Sequence, residues 1–355
     1  MSQDLTQPLK GRGALGNPDN RFEATSRETV DDGWDNLEQA PEPIRTTLTV
    51  DSAKTVISYN RSPDVPFDRS INPYRGCEHG CVYCFARPSH AYLGLSPGLD
   101  FESRLFYKPD AAELLRKEIN KKNYHCQPIA VGINTDAYQP VERKLGITRQ
   151  ILEVLAEHRH PLSIVTKSAL IERDINMLSE MARVRLVNIA VSITTLDHDL
   201  ARKLEPHASA PRRRLETVAR LADAGIPVMV LVAPLIPVLT DSELESILKS
   251  AHQAGACSAG YILLRLPHEV TDLFTAWLET HAPLRAEHIM NRVRDCRGGK
   301  TYDATFGKRM TGEGLFAELI EKRYRLAMKK LDFPSVPEMD TSLFRQSTAA
   351  QLDLF

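Results

Sequence analysis

The sequence predicts an α/β fold built on parallel strands, and three observations carry that prediction. From Ser70 onward, short apolar runs alternate with segments whose apolar residues recur at helical spacing. Six such runs occur, and polar residues follow each of them before the next helical pattern begins. No apolar stretch approaches the ~20 residues needed to cross a bilayer, so the runs read as strands buried in a core. At 355 residues the chain is about twice the usual domain size, and a barrel of alternating strands and helices takes about 200 to 250 of them as one unit. Periodicity alone leaves a barrel and a doubly wound sheet equally open.

Residues 1–45 hold no apolar period and repeat Gly, Pro, Asn and Asp, as in Gly16-Asn17-Pro18-Asp19-Asn20, so they read as a disordered tail. Order begins near Thr46, and a first strand runs into Cys77. A helix follows Pro109, whose ring suits a first helical turn, with Ala111, Leu114, Leu115 and Ile119 as its apolar stripe. Further strands are expected at 129–133, 162–165, 186–193, 227–232 and 260–264, with a helix over 148–155 between two of them. A last helix runs over 315–331, and Pro334 and Pro337 then mark the start of a Ser-, Thr- and Gln-containing end. The organisation expected is a core over 46–300, a basic helical extension over 301–340 and a flexible tail over 341–355.

Net charge is −1, which neither invites nor excludes nucleic acid. Its distribution says more: residues 285–330 carry twelve Lys or Arg against six Asp or Glu, while residues 1–45 carry five against nine. A basic segment of this kind follows a phosphate backbone or simply forms solvated helix faces.

The most specific feature is the run Arg75-Gly76-Cys77-Glu78-His79-Gly80-Cys81-Val82-Tyr83-Cys84, a C-x3-C-x2-C spacing that grips one metal cluster from a single loop. An iron–sulfur cube normally takes four thiolates, so three leave one iron open for a substrate or cofactor. A zinc knuckle, with His79 or His90 as fourth ligand, is the competing reading. Disulfides are disfavoured, since no apolar signal sequence precedes the core and a cytoplasmic location keeps thiols reduced. Cys126, Cys257 and Cys296 are scattered and read as buried structural thiols.

This loop resembles that of the radical S-adenosylmethionine (SAM) enzymes, where an aromatic such as Tyr83 usually precedes the third cysteine. The resemblance implies a partial TIM-type (β/α)6 barrel and a [4Fe–4S] cluster held by Cys77, Cys81 and Cys84. It further implies SAM on the open iron, reductive cleavage of SAM to a 5′-deoxyadenosyl radical, and an electron donor such as a flavodoxin or ferredoxin. In such barrels the loops after the strands share one mouth. Those loops here are 134–140, Thr166-Lys167-Ser168, Ser192 to Thr195, and Ala233 to Pro237.

The resemblance is closest to the spore photoproduct lyase-like group, often described as DNA repair photolyase-like, over roughly Asn72 to Pro237. It includes Val165-Thr166-Lys167, Leu204-Glu205-Pro206, Arg214-Leu215 and Val232-Ala233-Pro234. By it, Lys167 would pair with the SAM carboxylate, Arg214 being a rival, Ser192 would meet the ribose, and Thr135 and Asp136 would lie near the methionine amino group. One departure is plain. Where that group carries a hydrogen-donating cysteine after the second strand, this chain reads Ile133-Asn134-Thr135-Asp136, so reversal of thymine dimers by a thiol relay is not implied.

The chain ends Gln351-Leu352-Asp353-Leu354-Phe355, which resembles the peptide that docks bacterial polymerases and repair proteins onto the β sliding clamp. Leu352, Leu354 and Phe355 would enter apolar pockets while Gln351 makes directional hydrogen bonds. The function expected is therefore a radical SAM enzyme, of lyase or transferase type, acting on nucleic acid in DNA repair or modification. A radical SAM enzyme modifying RNA, a peptide or a small molecule is the alternative. A non-catalytic iron–sulfur or zinc module tethered to the clamp is the third reading.

Overall fold

The computed structural model describes residues 9–23 and 44–346. In chain order the strands are β1 (Thr47–Val50), β2 (Ile57–Tyr59), β3 (Arg69–Ile71), β4 (Tyr74–Arg75) and β5 (Arg104–Tyr107). They continue with β6 (Ile129–Val131), β7 (Leu162–Thr166), β8 (Val187–Ser192), β9 (Val228–Leu235) and β10 (Ser258–Leu263). Six of them, β3-β6-β7-β8-β9-β10, lie side by side and parallel, with β2 added antiparallel at the β3 edge. This is the six-stranded partial barrel that the family resemblance implies.

Register explains the core. Ile71, Val131, Ile164, Ile189 and Val228 follow one another across the sheet and are all essentially buried. Aliphatic side chains in such a row cover the sheet where helices pack on it. The helix Ala111–Ile119 does so through Ala111, Leu115 and Ile119, spaced four apart and fully buried, as its sequence stripe predicts.

Boundaries differ where local chemistry intervenes. The expected first strand is split at Asn72-Pro73: β3 belongs to the barrel sheet, and β4 leaves it to pair antiparallel with β5, a strand not foreseen. The second barrel strand stops at Val131 because Gly132 turns with φ of +80°, where a Cβ would strike the Ala137 nitrogen. In contrast, β9 extends to Leu235 because Leu235 still pairs with Leu263.

Two expectations about the termini are corrected. Within the tail expected to be disordered, residues 9–23 pack onto the barrel, with Ala14 fully buried and the Gly13 and Ala14 amides bonded to Glu102. Within the tail expected to be flexible, Phe344 packs on Tyr124 and His160, and the Arg345 amide donates to the His158 carbonyl. Those partners precede β6 and β7, so this segment crosses the barrel end opposite the loops 134–140 and 166–168. Gln351 to Phe355 lie outside the described residues. No helix among the described residues is long and apolar enough to cross a membrane.

Candidate active site

The cysteine loop begins where β4 ends, and the small sheet β1-β5-β4 fixes its start. The Cys77 amide donates to the Phe101 carbonyl at 2.9 Å, and Gly76, with φ of +78°, leaves no room for a side chain against Leu105 and Phe101. Arg87 holds the loop from behind. Fully buried, it donates to the carbonyls of Cys81 (2.8 Å), Gly80 (3.1 Å), Pro97 (3.0 Å) and Gly98 (2.8 Å) and pairs with Glu102, which is also fully buried. Residues 9–23 complete this base. The Gly13 backbone lies so close to the loop that a Cβ there would stand 1.8 Å from the Gly80 oxygen.

The facing wall comes from the strand ends. Asp136 accepts from the Thr166 hydroxyl (2.7 Å), the Lys167 amide (2.7 Å) and the Tyr138 amide (2.8 Å), and faces His79 at 3.3 Å. Burial pushes its carboxyl up, but His79 and these donors outweigh it, so Asp136 stays ionised below its ordinary value. Its bonds are thus spent on joining β6, β7 and the cysteine loop. Thr135 donates to the Tyr74 carbonyl at 3.1 Å. Gln139, fully buried, brackets the loop from outside, donating to the Gly76 carbonyl and accepting from the Glu78 amide.

Glu205 is the hub of the second cluster. It accepts from the Tyr83 phenol, from Thr194 at 2.8 Å and from Arg214, with Lys167 Nζ at 4.0 Å. Burial raises its carboxyl, yet Arg214 and Lys167 prevail and hold it at about 2. Arg214 is committed: its remaining donors reach the Ser209 carbonyl (2.6 Å) and the Ser192 carbonyl (2.9 Å). It therefore braces the site rather than standing free as a rival cation. Tyr83 is likewise held by Glu205 and Thr194, so its ring, not its hydroxyl, faces Lys167 Nζ at 5.9 Å. Lys167 is the less committed cation, with the Ala233 carbonyl at 3.4 Å and Glu205 at 4.0 Å.

The donor set fits a cluster better than zinc. All three thiols are free of disulfides, and Cys77 and Cys81 are buried. Burial, helped by Glu205, pushes Cys81 up to about 12, so a metal charge rather than the protein must draw the thiolate. Neither histidine completes a zinc site, since His79 faces Asp136 and His90 bonds the Arg104 carbonyl at 3.0 Å. Among the described residues no three His, Cys, Asp or Glu side chains gather round one ion. A cube asks for something else, because each thiolate takes its own iron.

Beside the loop opens a cleft of about 530 Å³, lined by His79, His207 and the arginines 143, 173 and 213. Cys126 and Cys257 precede β6 and β10, at the far ends of those strands, so neither stands where the missing thiol of the 133–136 run would be. Sequence reasoning missed Arg87, Glu102 and Gln139. An arginine three residues after the last cysteine was the one available signal, and it has no motif meaning without the fold.

A partial parallel barrel with three free thiols on one loop, two of them buried, and a lysine beside them at the strand ends, defines a cofactor-dependent enzyme. The sequence pattern of the radical SAM superfamily matches residues 71–251, and the chain belongs to that superfamily, whose cofactors are a [4Fe–4S] cluster and SAM. It is 35% identical over 281 residues to an uncharacterized protein of Mycobacterium tuberculosis, covering 79% of this chain and 80% of that one. An uncharacterized protein of Methanocaldococcus jannaschii is 27% identical over 191 residues, 54% of this chain and 68% of the relative. Among solved structures, spore photoproduct lyase complexed with dinucleoside spore photoproduct superposes with a TM-score of 0.57 at 17% identity, covering 80% of this chain and 79% of the other. That likeness confirms the fold.

Proposed function

We propose that the protein is a radical SAM enzyme that acts on nucleic acid, with Cys77, Cys81 and Cys84 as the cluster ligands. The observation that carries this reading is the meeting of the three thiols with Lys167 at one mouth, held there by Asp136 and Glu205. When bound, the cluster and SAM supply a hydrogen-abstracting radical. The chain supplies position. Lys167, whose nearest carboxylate is Glu205 at 4.0 Å, pairs with the SAM carboxylate, and Ser192 and Thr135 are assigned to the ribose and methionine ends. Burial of Cys77, Cys81 and Tyr83 keeps water from the loop.

Nucleic acid is favoured by the basic 285–330 segment and by the lesion-bound neighbour of like fold. A thiol relay is not part of the reading, because Asn134 and Thr135 stand where it would begin. The peptide Gln351 to Phe355 docks the enzyme onto a β sliding clamp, and a flavodoxin or ferredoxin reduces it. The last described residue, Gln346, donates to the Ile119 and Lys121 carbonyls on the face away from the mouth, so a tether starting there leaves the mouth free.

The test is anaerobic incubation of reduced, reconstituted protein with SAM and DNA, RNA, peptide mixtures or small metabolites, following 5′-deoxyadenosine. Stimulation by DNA is expected. Stimulation only by RNA, peptides or metabolites would overturn the substrate assignment. In parallel, Leu354→Ala with Phe355→Ala should abolish binding to a purified bacterial clamp, since two apolar anchors are worth roughly 3–5 kcal/mol. Undiminished binding would remove the tether.

A further inference from the structure

A radical generated inside a barrel mouth reaches only what enters it, so a target nucleotide must leave its helix, and the surface beside the mouth must hold the strand flanking it. One face has the chemistry for this. Phe85 directly follows the third loop cysteine and is 41% exposed, with the Arg265 guanidinium stacked over its ring at 5.1 Å. Arg265 lies just past the end of β10. No ion pair involves it among the described residues, and its Nε is buried with no hydrogen-bond partner, while Nη1 touches the Met310 sulfur at 3.5 Å.

Met310 belongs to a strap over residues 297–312 with Arg297, Lys300, Lys308 and Arg309 and one acid, Asp303; Lys308 pairs with Glu313 and Arg309 with Asp64, so Lys300 is the strap's exposed cation without an ion pair among the described residues. Its Phe306 is 55% exposed and carries a second stacked guanidinium, Arg309, at 4.8 Å. The strap is firmly held. Arg297, itself buried, donates to the carbonyls of Leu263, Leu264, Lys308 and Arg309, and the Leu263 amide bonds the Met310 carbonyl at 2.8 Å. At its other side the Gly307 amide and Arg309 bind Asp64, between β2 and β3. The strap thus joins the two unpaired ends of the barrel sheet, β10 and the β2–β3 edge.

Exposed phenyl rings paired with guanidinium planes, beside two cations without carboxylate partners among the described residues, Arg265 and Lys300, are what a single strand requires: stacking surfaces for bases and positive charge for phosphates. We propose that Phe85, Arg265, Phe306 and the 297–312 strap form a binding face for single-stranded DNA flanking the target nucleotide. This rests on the nucleic-acid reading above. Bases stack on Phe85 and Phe306, and the phosphates between them meet Arg265 and Lys300.

The experiment is fluorescence anisotropy with the reconstituted holoenzyme and a labelled single strand longer than the ~16 nucleotides that such a site covers. The matching duplex and polyglutamate serve as competitors. Phe306→Ala and Arg265→Met should each weaken single-strand binding roughly five-fold or more, with iron content and melting temperature unchanged for Phe306→Ala. The duplex should compete less well than the unlabelled strand. If wild type binds the strand and both variants bind it as tightly, the face is wrong while the nucleic-acid reading stands. Polyglutamate competing as well as DNA would make the face a dock for an acidic protein and overturn the proposal. Wild type that binds no nucleic acid at low salt overturns the reading and this inference together.

Discussion

Arg87→Met should uncouple the cysteine loop from its base. The substitution keeps most of the side-chain volume and removes a guanidinium that serves four carbonyls and one carboxylate, all in a fully buried environment. Glu102 would keep only the Gly13 and Ala14 amides as donors and would lose its cation. Stripping one partner from a buried pair costs about 3–5 kcal/mol. Each orphaned carbonyl that water cannot reach adds ~1 kcal/mol or more. Against a total stability of roughly 5–15 kcal/mol, a loss of at least ~4 kcal/mol leaves the loop and residues 9–23 poorly held. Guanidinium unfolding of the apo-protein, together with iron content after anaerobic reconstitution, reads both effects. Adding Glu102→Gln should recover part of the loss, because the uncompensated charge goes while the side-chain oxygen can still accept from the Gly13 and Ala14 amides. If Arg87→Met unfolds within ~1 kcal/mol of wild type and still holds ~4 iron per chain, the bracing role is wrong.

Cys77→Ala, Cys81→Ala and Cys84→Ala should each lose the cluster, since two thiolates hold a cube poorly; stoichiometric zinc without labile sulfide in wild type would contradict the ligand assignment. Lys167→Ala should weaken SAM binding by about 2–5 kcal/mol with the cluster intact, measured by equilibrium dialysis; unchanged affinity would pass the carboxylate to another group. His160 is buried, accepts from Tyr124 and titrates at about 4 in the folded chain against 6.5 ordinarily, chiefly through burial. Its contribution is full above pH 6.5 and fades as pH falls towards 4, by up to about 3 kcal/mol; His160→Gln should flatten part of that limb of the unfolding profile, which His90 and His281 share, and an identical profile would refute it.

The parallel strands and the cysteine loop were legible because apolar runs and thiol spacing are local signals. The helix Leu315–Leu331 falls where its pattern predicts. What stayed hidden depends on distant partners. Gly13 and Ala14 belong to a stretch with no apolar period, and they are ordered by a carboxylate about ninety positions away in Glu102. β1 alternates Thr47-Leu48-Thr49-Val50 over only four residues and is exposed along its whole length, so pairing with β5 rather than burial of a face makes it a strand. Arg214 reads as a cofactor cation in sequence, and only the fold shows that Glu205 and two carbonyls occupy it.

The most direct test is the electron paramagnetic resonance spectrum of the reduced, reconstituted protein before and after SAM is added. A three-thiolate cube with an open iron at this mouth predicts a reduced [4Fe–4S] signal that changes on adding SAM, and a smaller change at the same SAM concentration in Lys167→Ala. A signal indifferent to SAM in wild type, or no iron–sulfur signal from protein that is otherwise folded, would contradict the account.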